Sequence, residues 1–145
     1  MSNKASIGNC GEYFVAAELE RRGFTCAVPM SKTQDFDILA INRESLNQYA
    51  IQVKTTRYKS KNWILNKKAE SLCKDNIFFV FVSLNDLDVP AFHIVSGKYV
   101  SETLKKEHEK WLNTPGKNGQ KPRDNSIRKF SDKEDIFLDK WDSLI

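Results

Sequence analysis

Residues 35–56 read DFDILAINRESLNQYAIQVKTT, and this stretch decides how the rest of the chain is interpreted. It contains two apolar runs, 36–41 and 49–55, separated by the polar segment 42–48. Short apolar runs on either side of a polar turn are typical of a β-hairpin. We therefore expect two antiparallel strands, with the start of the first beside the end of the second.

Polar residues lie where these strands should be apolar. Asp37 precedes the run ILAI, and Gln52 and Lys54 alternate with aliphatic residues along the second strand. Since side chains alternate between the two faces of a strand, Gln52 and Lys54 should share one face. Charged groups beside apolar strands are costly to bury unless they are paired or bind a cation. This conflict is the main functional signal in the sequence.

A helix is predicted over residues 7–22, ended by Gly23. Its apolar stripe has the i, i+3, i+4, i+7 spacing of one helix face at Cys10, Tyr13, Phe14 and Ala17. Three further residues widen this stripe: Val15, Ala16 and Leu19. Glu12 lies at the edge of that stripe and has Val15 and Ala16, not cations, three and four residues further on. We therefore expect Glu12 to face whatever the helix covers.

These polar groups can converge if the helix packs across the sheet. Carboxylates of Glu12 and Asp37, the amide of Gln52 and the main-chain carbonyl of Val53 are oxygen ligands suited to Mg²⁺. Lys54 would lie at the edge of the metal, where it could contact a phosphate or orient a water molecule. A metal in such a site activates water for phosphodiester hydrolysis.

The order Glu12, Asp37 and Gln52-Val53-Lys54 resembles the PD-(D/E)xK, or restriction-endonuclease-like, nuclease superfamily. GEYFVAAELERRGF, DILA and IQVKTT are similar to archaeal Holliday-junction resolvases and Mrr-type restriction endonucleases. The resemblance covers about residues 8–83. It implies an α/β fold with an α-β-β-β-α-β core, a central mixed sheet flanked by helices, and DNA cleavage dependent on Mg²⁺ or Mn²⁺. It also implies a possible homodimer.

Two positions depart from the superfamily pattern. Phe36 precedes Asp37 where the family has Pro, and Gln52 stands where the family usually has Glu or Asp. An amide oxygen can bind a metal but brings no charge, although QxK resembles the Mrr-type branch. The alternative hypothesis is therefore a non-catalytic nucleic-acid-binding module that retains the nuclease fold. A weaker alternative is an interaction partner within a restriction or toxin system.

A basic tract follows Lys54 directly, over residues 57–68. We expect four of its side chains to contact nucleic acid, through phosphate contacts or base stacking: Arg57, Lys59, Lys61 and Trp63. Further strands are predicted at 24–28, 77–83 and 91–95, and helices at about 67–74 and 98–112. The run IFFVFVS at 77–83 is suited to a strand that is buried on both faces.

The C-terminal third changes in composition. Residues 113–128 combine Gly, Pro and Asn with four cations and predict a mobile basic loop. Ser131 followed by Glu134 fits a capping box, so we expect a docked helix after the loop. The chain should form a single domain over 1–145, with a core at about 8–95 and a C-terminal helical extension at about 96–145.

The amino-acid composition indicates the cellular compartment and the kind of binding partner. The 145 residues are 40% hydrophobic and 29% charged, with a net charge of +4, which permits an anionic partner such as DNA. Three separated cysteines without a CxxC pair favour a reducing cytoplasm. No apolar run approaches the roughly 20 residues of a membrane span, so we expect no membrane association.

Other candidate residues are less favoured. Asp35 competes with Asp37, since residues two apart share a strand face, but Asp37 directly enters the apolar run. His93 and His108 have no ligand partner near them in sequence, so core or surface roles are favoured over metal binding. Cys10 is better explained by burial on the helix face than as a nucleophile.

Overall fold

The computed structural model describes residues 3–30 and 36–145. Residues 31–35, which we expected to form a polar loop at 31–34 and which include the competing Asp35, lie outside the described residues. The helices and strands follow in this order: α1 (Lys4–Arg21), β1 (Phe24–Ala27), β2 (Ile38–Asn42), β3 (Gln48–Thr56), β4 (Asn62–Asn66), β5 (Ile77–Ser83), β6 (Ala91–Ser96), α2 (Gly97–Leu112) and β7 (Ile127–Ser131). Short 3₁₀ helices lie at Lys67–Ser71 and Trp141–Ser143. The first of these takes the place of the helix predicted at 67–74.

The central sheet has five strands in the order β1-β2-β3-β5-β6. β3 and β5 are parallel, and the other neighbours are antiparallel. The predicted hairpin is confirmed: β2 pairs with β3, and Ile38 lies opposite Ile51. The sheet is therefore mixed, as expected, and the start of β2 lies beside the second half of β3.

β5 joins two hydrophobic layers and is buried on both faces, as predicted. Phe78, Val80 and Val82 pack in the layer that contains Val15 and Leu19 of α1. The other layer contains Phe79 and Phe81 of β5, with residues of β4, β7 and α2: Trp63, Leu65, Val100, Leu104 and Phe130. The sheet thus has an α1 side and a side covered by α2 and a two-stranded ribbon.

That ribbon consists of β4 and β7, paired antiparallel with Trp63 opposite Phe130. Its alternating burial overturns one prediction, because Trp63 is only 2% exposed and its indole N–H donates to the Val82 carbonyl at 3.0 Å. Trp63 is a core residue and is not available to stack on bases. Arg128, predicted to end a mobile basic loop, lies in β7, buried, with its Nε 2.5 Å from a Glu70 oxygen.

The predicted capped helix near the C-terminus is wrong. Ser131 ends β7, and the next residue, Asp132, accepts hydrogen bonds from the main-chain N–H groups of Ile136 (2.9 Å) and Phe137 (3.0 Å). This carboxylate holds a turn, not an α helix. The expected docking does occur, because Trp141 and Leu144 are buried in the α1-side layer.

α1 forms where predicted, but the residues that face the sheet are those expected at the edge of its apolar stripe, not those at its centre. Gly11, Val15 and Leu19 are its buried residues, whereas Tyr13 is 70% and Phe14 is 40% exposed. The helix lies close to β3 at Gly11, where a Cβ would be 1.8 Å from the Thr55 hydroxyl oxygen. No helix within residues 3–30 and 36–145 combines the length and apolarity that a membrane span requires.

Candidate functional site

The start of β2 is fixed to the second half of β3 by two hydrogen bonds of Asp37. Its main-chain N–H donates to the Ile51 carbonyl at 2.8 Å. Its carboxylate oxygen Oδ2 accepts the main-chain N–H of Val53 at 2.7 Å. Asp37 therefore extends the β2–β3 ladder by one backbone bond and one side-chain bond.

Val53 presents main-chain polar groups to Asp37 at the end of this ladder. The last paired residues of β2 and β3 at this end are Ile38 and Ile51. In an extended strand the N–H and C=O of one residue point the same way, and residues two apart share that direction. The Val53 carbonyl therefore points to the same side as its N–H, toward Asp37 and away from β5.

The electrostatics of Asp37 are those of a half-buried carboxylate. Burial raises the pKa of Asp37 above its usual value, while the hydrogen bond from Val53 and the positive charge of Lys54 partly oppose that shift. Since desolvation is the largest effect, the ionised form is not fully compensated by the described residues. A cation at this carboxylate would provide that compensation.

Gln52 and Lys54 lie on the same face of β3, as predicted. They align with Phe79 and Phe81 of the parallel strand β5, so they project from the ribbon side of the sheet. Both are half-buried. Lys54 is close enough to Asp37 to lower the pKa of that carboxyl.

Glu12 lies on α1, which packs against the opposite side of β3. It is half-buried and follows Gly11, the residue of α1 that abuts Thr55. The close contact places this turn of α1 beside the end of β3 that carries Lys54. The structure thus brings Asp37, Val53 and Lys54 together, with Glu12 and Gln52 on the elements that adjoin them.

The basic tract after β3 is partly engaged in internal contacts. Arg57 lies 3.3 Å from Asp86 and stacks over the ring of Tyr58, and Lys61 lies 2.7 Å from Asp135. Lys59 is exposed. Of the four residues predicted to contact nucleic acid, the three cations are at or near the surface, and Trp63 is in the core.

An acidic cluster that no sequence pattern predicts lies beneath the ribbon, where the ring of Trp63 contacts that of His93. One ligand-type atom from each of His93, Asp132 and Asp135 falls within 4.8 Å of the others, so the described residues offer a possible metal-binding group here. His93 Nδ1 is 2.7 Å from Asp132 Oδ2, and both side chains are 1% exposed. No sequence signal links them, because they are 39 residues apart and meet only through strand packing.

The contacts of this cluster favour a structural role over metal binding. Both oxygens of Asp132 already accept main-chain N–H groups, and Asp135 Oδ2 already contacts the Lys61 ammonium. Asp135 Oδ1 is buried without a hydrogen-bond partner. The positive charge of Lys61 occupies the position where a cation would be needed, and His93 is a core residue, one of the two roles favoured for it from the sequence.

Comparisons with known proteins find similar structures but no similar sequences. No protein-family model matches the chain, and no curated protein sequence matches it. A bacterial homing endonuclease has a similar structure, with a TM-score of 0.56 at 11% identity, covering 98% of this chain and 91% of its own. Hjc, a Holliday junction resolvase from Archaeoglobus fulgidus, has a TM-score of 0.51 at 16% identity, covering 86% of this chain and 84% of its own.

Both structural neighbours are restriction-endonuclease-like nucleases. The chain has the restriction-endonuclease-like fold, which confirms the fold class indicated by the sequence. Identities this low extend to the fold alone, so the chemistry must be argued from the residues of the site.

Proposed function

We propose that this protein is a metal-dependent endonuclease that hydrolyses DNA phosphodiester bonds in an active site centred on Asp37. The observation that carries the proposal is the position of Asp37, half-buried, hydrogen-bonded to the Val53 amide and beside Lys54. A fold shared with two nucleases supports it. Carboxylates with perturbed pKa values cluster at functional sites, which adds to the argument.

The groups around Asp37 suit a hard divalent cation, Mg²⁺ or Mn²⁺. Asp37 supplies a carboxylate whose burial is not fully compensated, and the Val53 carbonyl points to the same side. Glu12 and Gln52 would supply further oxygen ligands from α1 and β3. When bound, the metal supplies Lewis acidity that activates water and stabilises charge on the phosphate.

Each protein group would then have a distinct role. The Val53 N–H fixes the orientation of the Asp37 carboxylate by holding Oδ2. Lys54, held half-buried on β3, would place its ammonium against a phosphate oxygen or the attacking water. Gln52 would bind the metal through its own amide oxygen, which adds no charge. The metal would therefore be held by fewer formal negative charges than in sites with Glu at this position.

The test is cleavage of branched, nicked, linear and single-stranded DNA with and without Mg²⁺ or Mn²⁺. We expect Asp37→Ala and Lys54→Ala each to lower the cleavage rate by about 1,000-fold or more, equivalent to about 4 kcal/mol of barrier. Matched controls are Asp88→Ala and Lys140→Ala, which remove exposed charges elsewhere. If Asp37→Ala cleaves every substrate like the wild type, the proposal is wrong.

A second candidate function is a non-catalytic DNA-binding module, favoured by the neutral Gln52. It predicts no cleavage with either metal, and binding that weakens with salt and with replacement of Arg57, Lys59 and Lys61 by Ala. Unchanged affinity in that triple variant would exclude this use of the basic tract. The cleavage assay separates the two candidates directly.

We also propose a homodimer in a reducing cytoplasm. Cutting both strands of a duplex or junction is most simply done by two copies of one site, which supports the dimer. Cys10, Cys26 and Cys73 are free thiols, and Cys73 is exposed, which supports a reducing compartment. Light scattering on the purified protein tests the assembly.

A further inference from the structure

A basic groove runs from the candidate site along the 3₁₀ helix Lys67–Ser71. It is formed by two adjoining cavities of about 580 and 630 Å³ that share Lys68 and Ser71. The first cavity is also lined by Phe36 and Ala50, and the second extends to Lys105. We use the name η groove for the surface that these two adjoining cavities form.

One end of the η groove lies near the candidate site. Phe36 immediately precedes Asp37, and Ala50 lies two residues before Gln52 on β3. Because side chains two apart in a strand share a face, Ala50 projects on the same side as Gln52 and Lys54. Two residues of strand correspond to about 7 Å, so the groove begins within one or two nucleotide lengths of the site.

The charge of the η groove is strongly positive. Four exposed lysines line it: Lys67, Lys68, Lys74 and Lys105. Among its described lining residues the acid is Glu70, and the buried Arg128 neutralises it across a distance of 2.5 Å. The lysines therefore have no compensating negative charge within the described lining, which is the electrostatic complement of a phosphate backbone.

We propose that the η groove binds the sugar–phosphate backbone of DNA on one side of the bond that is cut at Asp37. This inference rests on the proposed function and extends it by assigning a DNA-binding surface separate from the basic tract at 57–61. Flexible lysine ammonium groups act as point charges toward phosphates and read no sequence. The groove would therefore hold DNA in register without selecting bases.

The test compares two triple variants in DNA binding without metal. Lys68→Ala/Lys74→Ala/Lys105→Ala removes three groove cations, and Lys4→Ala/Lys110→Ala/Lys140→Ala removes three exposed cations elsewhere. Binding of a labelled duplex is followed by fluorescence anisotropy in EDTA over a range of salt concentrations. The groove variant should bind at least about tenfold more weakly at low salt. The slope of log K against log salt should fall by about 2.7, or about 0.9 for each phosphate that the protein no longer neutralises.

The controls separate this proposal from the proposed function. Asp37→Ala should abolish cleavage, yet in EDTA it should bind DNA no more weakly than the wild type and with the same salt slope, because it removes a negative charge and no phosphate-binding cation. Lys68→Arg/Lys74→Arg/Lys105→Arg should restore binding, which excludes a folding defect as the cause. Equal salt slopes in the two triple alanine variants, or no DNA binding by the wild type, would contradict the proposal that the η groove binds DNA. Cleavage that persists with such a result would leave the proposed function standing.

Discussion

Two carboxylates of this protein, Asp132 and Asp37, differ in how completely their oxygen atoms are hydrogen-bonded. Asp132 is 1% exposed, and its oxygens accept bonds from His93 and from two main-chain N–H groups. Asp37 is half-buried, and the hydrogen bond and nearby lysine around it do not offset the pKa rise caused by burial. Proximity of acidic residues is therefore a poor guide to function. The group with metal-ligand spacing, His93, Asp132 and Asp135, has the contacts of a structural element, and the less completely hydrogen-bonded Asp37 is the better candidate site.

The largest effect that separates the two carboxylates is expected at Asp132. Asp132→Ala leaves His93 and the N–H groups of Ile136 and Phe137 without their acceptor, so it should lower the free energy of unfolding by about 3–5 kcal/mol. Denaturant unfolding measures this, with Asp88→Ala as an exposed control within about 0.5 kcal/mol of wild type.

EDTA provides the counter-test. If His93, Asp132 and Asp135 have a structural role and bind no metal, EDTA should leave the unfolding midpoint of the wild type unchanged. A metal role would be indicated instead by a midpoint that falls in EDTA for the wild type and does not fall for Asp132→Ala.

A smaller effect is expected where α1 meets the candidate site. Gly11→Ala would place a Cβ 1.8 Å from the Thr55 hydroxyl oxygen, so α1 or β3 must shift, at a cost of about 1–3 kcal/mol in unfolding free energy. Because Glu12 is the next residue, cleavage should fall further than the stability loss explains. Gly8→Ala is the control, since nothing lies within 4 Å of its added Cβ. Equal stability of both variants would contradict the close packing.

The smallest effect concerns the charge of Asp37 itself. Its folded pKa is raised, so the native state holds the proton more tightly than the unfolded chain, and stability is lost as pH rises from about 3.8 through the raised value. Asp37→Asn keeps an acceptor for the Val53 N–H and carries no charge. It should therefore match the wild type at low pH and be more stable at pH 7, by up to about 1 kcal/mol.

Thermal unfolding at the two pH values measures this difference. Mg²⁺ should raise the midpoint of the wild type and not that of Asp37→Asn. A less stable Asp37→Asn at pH 7 would show that the carboxylate is part of the structural framework, as Asp132 is.

The parts of the fold that were predicted correctly depend on local patterns. β5 is a seven-residue apolar run whose bounds, 77–83, were predicted without error, and the β2–β3 hairpin follows from two apolar runs and one polar turn. The helix or strand that carries each candidate site residue was also predicted from the sequence, because the apolar residues around it recur at the spacing of a helix or a strand. Their distances were not readable, since these depend on how α1 lies on β3.

The errors come from contacts that periodicity does not encode. The buried face of α1 begins with Gly11, which has no side chain to count, so the predicted stripe was centred on the larger Tyr13 and Phe14, although its edge correctly included Val15 and Leu19. Trp63 was predicted to lie at the surface because cations flank it, yet strand alternation in β4 turns it inward. The capping pattern at Ser131 failed because β7 pairs with β4 and takes that residue into the strand.

The double burial of β5 has a consequence for the unfolded chain. The segment IFFVFVS has high β propensity and carries no charge, proline or glycine, which are the features of sequences that form intermolecular sheets. In the native protein β3 and β6 occupy both of its edges, and hydrophobic layers cover both of its faces. Correct folding therefore also protects this protein against self-association. Chains in which either hydrophobic layer is not packed on β5 expose a segment prone to aggregation.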